Sequence, residues 1–70
     1  MHQPIDEVLP RPIGSRALVK NNADNRYEVG EQVTIMEKGF FLGIVPVYVV
    51  QNATGIVQGL EEEDIADLVD

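Results

Sequence analysis

The chain has no cysteine and no tryptophan, and His2 is its single histidine. Without cysteine, neither disulfides nor a thiolate metal site can staple the fold. A lone terminal histidine excludes the usual structural zinc ligand sets, so no metal and no cofactor is expected. Basic side chains are also scarce. Five Lys and Arg stand against twelve Asp and Glu, for a net charge of -7. Phosphate backbones are held by clustered Lys and Arg, so direct nucleic-acid binding is not expected. Long apolar runs are missing too. The longest, residues 40–50, falls well short of the roughly 20 residues needed to cross a bilayer, and Gly43 and Pro46 interrupt it. No basic region followed by an apolar core opens the chain, so a cytoplasmic protein with no membrane contact is expected.

What is present describes one small all-β domain. Seventy residues bury only about 60% of the unfolded surface, and stability of roughly 3–5 kcal/mol is the expectation. Pro4, Pro10 and Pro12 make residues 1–12 an extended or disordered arm, with Val8 and Leu9 as the residues placed to pin it against the domain. Residues 13–70 form the domain. Within it, residues 16–20 read as a short strand and residues 21–25, rich in Asn and Asp, as a turn.

The organising stretch is residues 27–36. Val33 and Ile35 alternate with Gln32, Thr34 and Met36, the two-residue period of a half-buried strand. Tyr27 and Val29 are expected to close the side of the core, and Gly30 to take a positive φ. Glu37-Lys38-Gly39 is read as the strand's end. Phe40-Phe41-Leu42 is read as the beginning of another strand, Gly43 as a bend and Pro46 as a strand start or edge. Residues 47–51 are strongly β-forming, and their consecutive apolar side chains imply burial on both faces. Asn52-Ala53-Thr54-Gly55 is a hairpin loop with Gly55 at positive φ, returning through residues 56–58. At the C-terminus Ile65, Leu68 and Val69 share one helical face. They predict a short helical turn capping the open end of the core, with Leu68→Ala expected to cost about 2–3 kcal/mol.

A polar loop, then an aromatic-x-x-Gly-acidic turn at Tyr27-Glu28-Val29-Gly30-Glu31, leads into this alternating strand. A strand-Asn-x-x-Gly-strand hairpin and a terminal helical turn follow. The layout resembles the Src-homology-3-like small barrel. Residues 27–33 match the family's diverging turn, residues 48–57 its distal hairpin and residues 60–68 its helical turn. Within that fold the chain resembles small barrel proteins of bacteriophages and bacterial mobile elements, through residues 55–65. The resemblance implies a small SH3-like barrel of about five strands with a short C-terminal helical turn. Peptide-binding members of the fold use several tyrosines and a tryptophan to hold polyproline ligands. Here the only tyrosines are Tyr27 and Tyr48, so that activity is not carried over.

Catalytic chemistry is not legible. Ser15 has no nearby histidine, and neither Gly39 nor Gly43 stands in a phosphate-cradling loop. Glu61, Glu62, Glu63 and Asp64 form an acidic surface, but consecutive carboxylates in one turn point in different directions and make a poor metal site. The leading expectation is a non-enzymatic interaction module, a phage or mobile-element accessory protein, that binds and modulates or inhibits a host protein. Its contact surface is expected to comprise Phe40, Phe41, Leu42 and Tyr48, with Ile44 and Val45 beside them. Two alternatives remain: an acidic decoy that mimics DNA, and a nucleotide-binding oligomer using Phe40, Phe41 or Tyr48 against a base and Arg16, Lys20 or Arg26 against phosphate. A homodimer is expected through pairing of exposed strands.

Overall fold

The alternation that marks Val33 and Ile35 for burial places them 1% and 0% exposed at the centre of a five-stranded antiparallel sheet. The computed structural model describes residues 4–21 and 27–68. The elements run α1 (Ile5–Val8), β1 (Arg16–Val19), β2 (Gln32–Phe41), β3 (Val45–Asn52), β4 (Val57–Leu60), a 3₁₀ turn (Glu62–Asp64) and β5 (Ile65–Asp67). Their order across the sheet is β4-β3-β2-β1-β5. The all-β class, the five strands and the helical turn before the end therefore hold. Closure does not: the sheet keeps β4 and β5 as two edges and is not a closed barrel.

The core is one face of this sheet, comprising Leu9, Ala17, Val19, Tyr27, Val33, Ile35, Tyr48, Val50, Leu60 and Ile65. Both tyrosines enter it with their hydroxyls satisfied, as a buried phenol requires. Tyr27 OH lies 2.6 Å from Ile56 O and 3.1 Å from Val50 O. Turn chemistry at the two loops agrees with the sequence. Gly30 has φ +89° and Gly55 φ +90°, and Asn52 Oδ1 accepts the N–H groups of Thr54 and Ile56 at 3.2 and 2.8 Å. Glu31 ties the first turn to the second: its carboxylate accepts from Glu28 N–H (3.0 Å) and Asn52 Nδ2 (2.6 Å). These two donors, Glu28 N–H foremost, lower its pKa.

Several expectations need correction. Within the described part of the expected arm, the chain is not a loose extension. It makes the single turn α1 and buries Leu9 to 1% exposure, because the inner face of so small a sheet needs a cover. Val29 does not close the core and is 60% exposed. β2 does not end at Gly39 but continues to Phe41, passing a bulge at Met36 between Ile35 and Glu37. The C-terminal residues are not a helix with Ile65 and Leu68 on one face. After the 3₁₀ turn they form β5, paired with β1 through Val19↔Ile65 and Ala17↔Asp67. Ile65 is therefore buried, while Leu68 is 38% exposed and loses the capping role. Residues 1–3, the 22–25 part of the turn, Arg26, Val69 and Asp70 lie outside the described residues.

Candidate interaction surface

β2 and β3 are longer than their outer neighbours. β1 pairs with β2 only at residues 32–34, and β4 pairs with β3 only at residues 48–51. Beyond those limits β2 and β3 continue as a two-stranded ribbon, with Gly39↔Val47, Phe40↔Pro46 and Phe41↔Val45 as its last pairs. The bulge at Met36 inserts one residue into β2 and so exchanges the faces of everything after it. Lys38 now sits opposite Tyr48 on the inner face, where its stem is covered and its ammonium meets Asp6 of α1 at 2.7 Å. Gly39 and Phe41 turn to the outer face beside Val47 and Val45, since directly paired residues share a face.

The ribbon closes at Leu42-Gly43, which have φ +54° and +75°, with Ile44 N–H bonded to Phe41 O at 3.2 Å. Two central residues at positive φ are the sign of the type I′ turn, a geometry that matches strand twist. The first of these positions usually takes Asn, Asp or Gly. Leucine adopts it at a cost of roughly 1–2 kcal/mol, because its Cβ crowds the following carbonyl. That leucine is also 79% exposed, with Phe40 at 49%, Phe41 at 60% and Ile44 at 76%. Four large apolar side chains are thus presented to water at one end of the molecule, one of them on a strained turn.

Tyr48 does not belong with them. It is 0% exposed, and its hydroxyl donates to Glu62 Oε1 (2.6 Å) and accepts from Arg11 N–H (3.0 Å). Burial, then the hydrogen bond to Glu62, pushes its pKa up to about 12. Placing Tyr48 on the contact surface is corrected accordingly. The period of β3 puts even-numbered residues inward, and the odd-numbered Val45, Val47, Val49 and Gln51 face out.

The four acidic residues also separate. Glu62 is held between Tyr48 and Arg11, whose Nε lies 2.9 Å from its Oε2, while Arg11 Nη1 also meets Asp67 at 2.7 Å. Glu61 and Asp64 form a reciprocal capping box at the 3₁₀ turn, including Glu61 N–H to Asp64 Oδ2 at 3.2 Å. Of the four, only Glu63 is exposed. Among the described residues no ion pair reaches Glu61, Glu63 or Asp64. Together with Phe41, Val45 and Val47 they line an open groove of about 570 Å³ beside the ribbon.

For the other readings, Ser15 Oγ donates to Pro12 O at 2.6 Å, with no histidine near it among the described residues. No group of three or more metal-ligating side chains is placed together among the described residues, and none of the described helices is long and apolar enough to cross a membrane. The exposed ribbon was legible in the surplus of apolar residues at 40–45. The groove was not, because its wall comes from residues 61–64, distant in sequence. Comparison with protein-family models, characterised proteins and solved structures gives no match to this chain.

Proposed function

We propose that this chain is a non-enzymatic protein-interaction module that engages its partner through the end of the β2–β3 ribbon. The observation that carries this reading is the exposure of Phe40, Phe41, Leu42 and Ile44 around the end of the ribbon, at 49–79%. An apolar surface on so small a domain favours aggregation unless a partner covers it. In the setting that the sequence resemblance implies, the partner is a larger host protein whose activity the module modulates.

The DNA-mimic reading has less support. Mimicry needs free acids spaced like phosphates, and Glu62 and Asp67 are both engaged by Arg11. A nucleotide site has lost Tyr48 as a stacking surface. A homodimer by strand pairing has less support at β3, where Pro46 lacks the N–H that a pairing strand would use.

The test is native co-purification with wild-type chain and with a Phe41→Ser/Leu42→Asn variant, alongside urea denaturation of both. The expected result is a partner retained by wild type and lost by the variant, with folding preserved. An unchanged set of partners on the folded variant would sink the proposal.

A further inference from the structure

Resting on the ribbon reading above, we infer that the groove beside β3 takes a peptide segment of the partner that carries arginine or lysine next to apolar side chains. The geometry further points to docking through side chains and not through strand addition. Three features support this inference.

The first is a pair of glycines that the backbone does not require. Gly39 and Gly59 lie within strands, and neither has a positive φ. Glycine inside a strand weakens it, and often marks close approach of a ligand or another chain. Both glycines flank Val47 on the outer face: Gly39 is its pair on β2, and Gly59 stands opposite Val49 on β4. A Cβ on Gly39 would meet nothing within 4 Å, and one on Gly59 would come no closer than 3.5 Å to Val47 Cγ2. Larger residues would therefore fit, and their absence leaves Val47 bare on both sides, with Gly59 lining the groove itself and Gly39 at its β2 margin.

The second is charge. Glu61, Glu63 and Asp64 form one wall of the groove, facing the apolar side of Phe41, Val45 and Val47. None of the three acids has an ion partner among the described residues. A cation on an apolar segment would meet both walls at once.

The third is Pro46. Asn52 N–H donates to Ile56 O at 3.1 Å, so its backbone faces the β4 side. Every second residue back along β3 does the same. Pro46 is the residue whose N–H would point outward past the end of β4, and proline has none. A proline in such a place blunts an edge against another strand. It guards this stretch against pairing with a second copy while leaving the side-chain groove open.

The experiment uses fluorescence anisotropy on the full chain with a labelled, end-blocked Leu-Arg-Leu-Arg-Leu peptide. Control peptides replace Arg by Gln, Arg by Glu, or Leu by Ser. Binding of the Leu/Arg peptide should be at least tenfold tighter than that of the Ser/Arg or Leu/Gln peptide, and the Leu/Glu peptide should not bind. A Gly39→Thr/Gly59→Ala variant fills the floor without changing charge and should lose on the order of tenfold. Glu63→Lys, on an exposed side chain with no hydrogen bond or ion pair among the described residues, should weaken binding by several-fold, most at low salt. Its folding is independent of the glycine changes, so one variant remains informative if the other unfolds. Equal binding by the folded floor-filled variant, equal binding of the Ser/Arg peptide, or no binding at millimolar peptide would overturn the inference. A partner kept by the floor-filled variant yet lost by Phe41→Ser/Leu42→Asn would overturn the groove alone and leave the ribbon reading standing.

Discussion

β2 and β3 are each one continuous strand, yet their two halves live in different surroundings. In the half before the Met36 bulge, Val33 and Ile35 lie on one face with Val50, and β1 and β4 flank the pair. In the half beyond it, Phe40, Phe41, Val45 and Val47 belong to a ribbon with no strand on either side. The residue types hardly differ; the neighbours do. Burial in so small a domain is decided by where the outer strands stop, not by how apolar a segment is. The first half buries its apolar surface, and the second leaves its own in contact with water.

The sharpest way to break this comparison is truncation on each side of the bulge. Ile35→Ala removes a fully buried side chain and should cost about 2–5 kcal/mol. That is comparable to the whole stability expected for a domain of this size. Phe40→Ala, at 49% exposure, should cost less than about 1 kcal/mol despite deleting more atoms. Urea denaturation followed by circular dichroism measures both. Similar losses at the two sites would mean that the ribbon is part of the folding core.

Much of the first half was legible in the sequence, and the reasons are local. Alternation at residues 32–36 marks one buried face, and Gly30 and Gly55 stand where turns need positive φ. The second half was misread because its determinants are not local. Leu42 is a poor residue for a type I′ turn, so no turn signal appears before Gly43, and Glu37-Lys38-Gly39 looks like a strand end. The bulge leaves no mark in the residues that form it. β5 shares residues with a plausible helical face, and pairing with β1 decides between them. Leu9 sits among prolines that suggest a loose arm, although the same prolines let the chain cross the sheet without needing hydrogen bonds along it.

A second measurement sharpens the boundary between the halves, where Tyr48 is the last buried side chain of β3 before the ribbon. Tyr48→Phe removes the hydroxyl shared by Glu62 and Arg11 N–H, leaving a half-buried carboxylate short of a donor. The expected cost is about 1–3 kcal/mol. The same hydroxyl should give an alkaline pH dependence. The folded state raises the phenol pKa from 10.0 to about 12, so it favours the neutral form. That contribution is complete below pH 10, where the phenol is neutral whether the chain is folded or not. It is lost as pH rises through about 12, because the unfolded chain ionises first. Denaturation midpoints of wild type and Tyr48→Phe should therefore differ at pH 8 and converge towards pH 12. Curves that stay parallel over that range would show that the phenol is not held as described.

The smallest expected effect has the opposite sign, and it sets the two halves against each other most directly. Leu42 is strained, with φ +54°, and exposed, so it contributes nothing visible to folding. Asparagine accepts the left-handed conformation more readily, and followed by glycine it suits two successive positions at positive φ. Leu42→Asn should therefore stabilise the isolated chain by about 0.5–1 kcal/mol, through relief of strain and loss of one exposed hydrophobe. For a domain of this size the melting temperature should rise by roughly 2–8 °C. If the ribbon is a contact surface, the same substitution should weaken partner capture. A gain in stability with a loss of binding would show that the leucine is kept at a cost to the fold. A fall in melting temperature would mean that Leu42 is packed in solution, and the ribbon would then belong with the core.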